Sequence, residues 1–249
     1  MFLFGWAATK GHCFVKKGGA NLPGQFKGQE QFMHENSVLL FQRYALPCFS
    51  GGMKILEIGP DAFPSTYRKM VSAPDLVWET LDISSSPNLT YSGSDLYHFP
   101  VAENEYDIVL SGQVIEHVAH IWRWMAELAR VTRPGGCVIT VNPVSWPYHK
   151  SPIDCWRIYT EGMKALYEDS GLVMEKAFWG SLETPYIRPF WAFMESPNIY
   201  RHVIPGRSLQ NQPKIRKILS PILGRLGGRV EKSFDSITVA RKPVLQGQS

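Results

Sequence analysis

The strongest constraint on this 249-residue chain is a set of short apolar runs that each stop at a glycine or a small polar residue: KILEIG (54–59), YDIVLS (106–111) and CVITVN (137–142). Runs of this length, apolar at consecutive positions, suit strands buried on both faces, as in a parallel sheet. Further strands are predicted at 76–83 (LVWETLDI), near 89–92 and at 172–180 (LVMEKAFWG). Helical segments lie between them. The first covers 29–44 and ends at Pro47, and a second falls near Ser65–Met70. A third covers Ile121–Val131. The last is opened by Thr160-Glu161-Gly162, carries Met163, Leu166 and Tyr167 on one side, and closes at Gly171. Gly135-Gly136 is read as the turn into the strand at 137. Strands alternating with helices predict an α/β sheet covered on both faces. SFDSITVARK (233–242) alternates polar and apolar residues, the pattern of a late antiparallel edge strand.

Four segments are predicted along the chain: a loosely ordered arm (1–29), the sheet core (30–180), a cap or insertion with a basic helix at 215–223 (181–232), and a final edge strand and tail (233–249). Residues 181–212 interrupt the α/β rhythm with prolines and aromatics and are expected to close over an acceptor. No apolar run is long enough for a membrane-spanning helix. The opening MFLFGWAA lacks the basic leader and the length of a secretory signal. Cys13, Cys48, Cys137 and Cys155 form no CxxC pair, so neither a disulfide frame nor a metal site is expected, and the cytoplasm is the expected location. Charge is uneven: residues 200–249 hold 10 Lys and Arg against 2 Asp and Glu. Such a tail either solvates a helix face or attracts an anionic partner, here for residues 200–242.

Two features place the chemistry. Gly59 follows a buried strand directly, where a backbone without a side chain admits a cofactor closely. Asp82 ends the next strand, a position suited to a ribose diol. Taken alone, the pair also fits an ordinary turn and a surface acid.

GSDLYHFP (93–100), ENEYDIVLSGQVIEHV (103–118) and RPGGCVITVNP (133–143) follow LEIGP and LDIS in fixed order. Together these five segments resemble the class I S-adenosylmethionine-dependent methyltransferases, especially the type 11-like group that modifies small molecules and glycans. The resemblance spans about residues 53–180. It implies a Rossmann-like, seven-stranded, mostly parallel sheet with helices on both faces, the last strand antiparallel, and an aromatic-rich cap.

The resemblance also implies site roles. Glu57 and Gly59 shape the turn beside the methionine part of the cofactor, Asp82 meets the ribose, Ile83 next to it also binds the cofactor, and Asp95 and Leu96 face the adenine. Ser111, Gly112 and Gln113 line the methionine side, and His117 stands near the entrance or packs locally. The family's turn has two further glycines where this chain has Pro60, Asp61 and Ala62. Asp61 is thus expected either to meet the cofactor's positive charge or to cap the next helix.

After the strand at 137, NPVSWPYHKSPIDCWRIYTEGM (142–163) gathers acceptor-side groups. His149 and Asp154 are the candidate catalytic base and carboxylate; Tyr148, Trp156 and Arg157 offer stacking and anion-binding surfaces. The structural alternative is that Trp156 packs and Arg157 pairs with Asp154. The expected activity is O-methylation of a small molecule or glycan, with no nucleic-acid signature: SGQV stands where amine-methylating nucleic-acid enzymes carry an Asn/Asp-Pro-Pro-aromatic run. A non-catalytic scaffold using the basic tail is the alternative, and the missing GxGxxG argues against a nicotinamide oxidoreductase.

Overall fold

The computed structural model describes residues 33–150, 152–183, 186–188, 229–231 and 233–244. The main sheet is built from β1 (Lys54–Ile58), β2 (Val77–Asp82), β3 (Tyr91–Ser92), β4 (Tyr106–Gly112), β5 (Thr132–Ser145), β6 (Val173–Gly180) and β9 (Phe234–Arg241), in the order β3-β2-β1-β4-β5-β9-β6. β1 to β5 pair in parallel, and β9 runs antiparallel to both β5 and β6. A separate two-stranded ribbon pairs β7 (Tyr186–Arg188) with β8 (Arg229–Glu231). The rest of the proline-aromatic stretch and the basic helix at 215–223 lie outside the described residues.

The consecutive apolar residues feed two cores, one on each face. In β1, Leu56 and Ile58 join the cluster packed by α3 (Ile121–Val131) and α4 (Thr160–Asp169), while Ile55 joins the opposite cluster with Leu40 and Phe41. Period-two alternation sorts neighbours onto opposite faces, so a strand covered on both sides must be apolar throughout. Helix α3 buries Ile121, Trp124, Met125 and Leu128 and exposes Trp122 and Arg123, as a 3.6-residue period requires.

Three sequence expectations are corrected. The segment 233–242 is not an edge strand; β9 lies between β5 and β6, and β6 forms the edge. Its polar residues are buried and paired: Ser236 donates to Asn142 at 2.8 Å, and Thr238 shares hydrogen bonds with Thr140 and Tyr167. Gly135-Gly136 does not end one element and start another; it sits in an irregularity of a continuous β5, where a Cβ on Gly136 would meet the Asp107 carbonyl at 2.8 Å. The first helix, α1 (Glu35–Leu40), continues as a π turn (Phe41–Ala45) and a 3-10 turn (Leu46–Cys48). Pro47 therefore stands inside the last turn, where its missing N–H is tolerated near the turn's start.

Candidate active site

The strand order reverses between β1 and β4, and a cleft of about 400 Å³ opens beyond the carboxyl ends of β1, β2 and β4. This is where open α/β sheets bind ligands. Gly59 takes φ +67° and donates to the Leu81 carbonyl at 2.9 Å. A Cβ there would strike Val114 Cγ2 at 2.5 Å, so only glycine keeps this wall. Asp82 ends β2 on the same cleft; its Oδ1 accepts the Ser84 N–H at 2.6 Å, and its Oδ2 lies 3.8 Å from where a Gly59 side chain would begin. Ile83, Leu96, Gln113 and His117 also line the cleft. Asp95 is exposed and is not among the lining residues; its Oδ1 accepts the Tyr97 N–H at 2.7 Å.

Behind Gly59, the buried Glu57 accepts from Ser65 Oγ at 2.6 Å and Trp78 Nε1 at 2.8 Å. Burial nonetheless pushes its carboxyl up to about 7. A raised acid holds its proton in the folded state, so its stabilising contribution is complete below about pH 4.5 and is lost as pH rises through about 7. Glu57→Gln removes this titration. Urea unfolding at pH 4.5 and 7 is expected to show wild type losing about 3 kcal/mol relative to the variant on going to the higher pH. An unchanged difference between the two proteins would refute the buried-acid account.

Asp61 braces the start of α2 (Thr66–Met70), whose N-cap is Ser65: the Asp61 Oδ1 accepts the Thr66 N–H at 2.8 Å and its Oδ2 the Thr66 hydroxyl at 2.5 Å. Within this turn Gly59 alone takes a positive φ, so the residues standing where the family has glycines carry no left-handed strain. Ser111 is buried beneath the cleft, and Gly112 makes room for Tyr67, whose ring a Cβ would meet at 2.4 Å.

Gln113 takes φ +58°, a left-handed conformation unusual for its type. Its N–H donates to the Val141 carbonyl at 2.7 Å, and its amide donates to Ser37 Oγ at 2.8 Å and Asp235 Oδ1 at 3.2 Å. Asp235, on β9 and fully buried, also accepts from Asn36 Nδ2 at 2.8 Å and Ser37 Oγ at 3.4 Å. This carboxylate ties α1, β9 and the cleft floor together.

The acceptor-side loop is internally braced. Arg157 donates to both Asp154 oxygens, at 2.5 and 2.7 Å, and to the Trp146 carbonyl at 3.2 Å. The Asp154 side chain is only 2% exposed. Burial alone would raise its carboxyl, but Arg157 and the His149 N–H hold it below the usual carboxylate range. Trp156 donates to the Val118 carbonyl at 2.8 Å and meets the Trp122 ring edge-on. These contacts are the packing alternative for Trp156 and Arg157. Tyr148, 60% exposed, lines a shallower hollow of about 260 Å³ with Trp146, Cys155 and the Asp154–Arg157 pair. His149 stands edge-on to His117, with ring centroids 4.8 Å apart. Burial lowers its basicity, so its imidazole is neutral at neutral pH.

The fold therefore brings Gly59, Asp82, Ile83, Leu96, Gln113 and His117 to one cleft. Glu57, Asp61, Ser111 and Gly112 do not line it, and Tyr148, Asp154, Trp156 and Arg157 stand in a neighbouring loop. Three residues escaped the sequence reading. Trp124 lines the cleft with an indole N–H that has no acceptor among the described residues, yet in sequence it is simply a core position of α3. Asp235 was hidden in a polar-apolar alternation. Glu116 did leave a signal, an acid lodged between the apolar Ile115 and the site histidine His117.

Residues 66–140 match the family described as "Methyltransferase domain". An uncharacterized methyltransferase from Mycobacteroides abscessus is 47% identical over 88 residues, 35% of this chain and 30% of that protein, so the chain matches under a third of this relative's length. Among solved structures, a provisionally assigned methyltransferase from Bacillus halodurans superposes with TM-score 0.53 at 12% identity, over 85% of this chain and all of that one. The phosphoethanolamine N-methyltransferase 2 of Haemonchus contortus, solved with S-adenosyl-L-methionine, gives TM-score 0.50 at 13% identity over 84% of this chain and 53% of that one. These structural likenesses establish the Rossmann-like fold. Among the described residues no helix is long and apolar enough to cross a membrane.

Proposed function

We propose, on the premise that this chain carries a methyltransferase domain of the class I fold, that it is an S-adenosylmethionine-dependent methyltransferase acting on a hydroxyl of a small molecule or sugar. The observation that carries this reading is the Gly59–Asp82 pair: a left-handed glycine turn packed against Val114 beside a carboxylate, both lining the cleft at the sheet's switch point. The cleft's donor set fits the cofactor. Asp82 suits the ribose diol through charge-assisted hydrogen bonds, and Leu96 and Phe99 supply apolar wall for the adenine. Gln113 Oε1, buried and without a donor among the described residues, suits the ammonium group of the methionine tail. The indole N–H of Trp124 is a further donor on the same wall.

When bound, S-adenosylmethionine would supply a methyl group on a sulfonium sulfur, to be taken by an acceptor oxygen in line as the sulfur–methyl bond breaks and leaves its electron pair on sulfur. The chain's own task is to hold that oxygen close and aligned. His149 supports this on the acceptor side: its neutral ring faces Pro147 O at 3.4 Å and Asp154 at 3.5 Å through Nδ1, which leaves Nε2 to act on the acceptor hydroxyl. Asp154, held low by Arg157, is a poor proton acceptor and positions the loop instead.

Calorimetric titration of the full chain with S-adenosylmethionine and S-adenosylhomocysteine tests the reading. Binding of both at one site per chain, with micromolar affinity, is the expected result. No binding by a folded sample would overturn it and favour the scaffold alternative.

A further inference from the structure

We propose that Glu116, His117 and His149 form a binding site for a divalent transition-metal cation at the wall of the cleft. One donor atom from each residue lies within 4.8 Å of the other two, and His117 Nε2 stands 3.8 Å from Glu116 Oε1. Glu116 is 1% exposed, yet neither carboxylate oxygen has a hydrogen-bond partner among the described residues. A buried carboxylate left unpaired is costly and calls for a proton or a cation.

Both histidines are prepared as ligands. The Ile153 carbonyl beside His117 Nδ1 accepts only a hydrogen, so the proton sits on Nδ1 and the lone pair on Nε2. In His149, Nδ1 faces the Pro147 carbonyl and Asp154, leaving Nε2 as its donor. Orientation of one ring nitrogen by a carbonyl or carboxylate is the usual support for a metal-binding imidazole.

The surroundings are anionic. Asp235 and Asp154 lie close enough to Glu116 to act on it electrostatically, and the charge of Arg157 opposes them. That guanidinium is already held by Asp154. Two imidazoles and one carboxylate favour manganese, iron, cobalt or zinc over magnesium or calcium, which prefer oxygen ligands. Three protein ligands leave coordination positions for water or an acceptor hydroxyl.

Cation binding itself does not depend on the methyltransferase reading, but its role in the reaction does. Because His117 lines the cleft, an acceptor hydroxyl bound to the cation would release its proton to solvent water more readily. The imidazoles would then act on that hydroxyl through the metal rather than by taking its proton themselves. An acceptor with two adjacent hydroxyls, able to chelate, is the favoured class.

The test is titration of the metal-stripped full chain with Co²⁺, followed by visible absorption. One Co²⁺ per chain with ligand-field bands of nitrogen and oxygen coordination is expected. His149→Ala, at a partly exposed loop position, and Glu116→Gln should each weaken binding at least ~10-fold with unchanged circular dichroism. Three results would overturn the site: no Co²⁺ binding by wild type, undiminished affinity in the double variant, or an intense sulfur-to-metal band placing the cation on the exposed Cys155. Co²⁺ binding without S-adenosylmethionine binding would keep the site and remove the methyltransferase reading.

Discussion

Asp82→Ala is expected to weaken S-adenosylmethionine binding by at least ~100-fold while leaving the fold intact. Two charge-assisted hydrogen bonds to a ribose diol are worth about 3 kcal/mol or more together, which corresponds to that factor. The fold should survive because Asp82 is only half-buried and pairs with Ser92 through its backbone. One carboxylate oxygen already serves the Ser84 N–H, so the variant also loosens the turn after β2, a smaller effect. Calorimetry on the variant, with thermal melting as the control for folding, decides the matter. Wild-type affinity in Asp82→Ala would show that the ribose is bound elsewhere.

A large effect of a different kind is expected at Asp235. Its carboxylate accepts from Asn36, Ser37 and Gln113, and its residue is fully buried between β5 and β6. Alanine leaves three donors, two buried and one partly buried, without this acceptor, at about 1 kcal/mol each or about 3 kcal/mol together. For a chain of this size that lowers the melting temperature by roughly 6–12 °C. Because Gln113 holds a left-handed backbone beside the cleft, the same variant should also bind S-adenosylmethionine more weakly. A melting temperature within about 2 °C of wild type, under 1 kcal/mol on the same scale, would mean that the network contributes little.

The two residues differ in how legible they were. Asp82 stands at the end of an apolar run, at a set distance beyond a glycine that ends another, and both facts are local. Asp235 lies in SFDSITVARK, whose polar-apolar alternation by itself predicts an edge strand. The misreading has a physical cause: alternation reports which residues share a face, not whether another strand covers the open edge. With β6 on that edge, Asp235, Ser236 and Thr238 are all buried, and each is satisfied by a partner far away in the chain.

The same distinction governs the loop after β5. Asp154 and Arg157 are three residues apart, and that spacing alone suggests their pairing. The approach of His149 to His117 and Glu116 was not open to that kind of reasoning. It requires the loop to fold back over the 3-10 turn at Ile115–His117, where the Cys155 N–H donates to the Glu116 carbonyl at 2.7 Å and Ile153 meets His117.

What the sequence determined by itself is the succession of strands and helices, the place of the glycine turn and the carboxylate at the end of the second strand. Each depends on local periodicity and backbone freedom, which a few neighbouring residues express. The tertiary structure alone decided the interior position of β9, the burial of Asp235 and the meeting of Glu116 with two histidines. Those depend on which strands become neighbours and how loops pack across them, and both are settled by contacts between residues far apart in the chain.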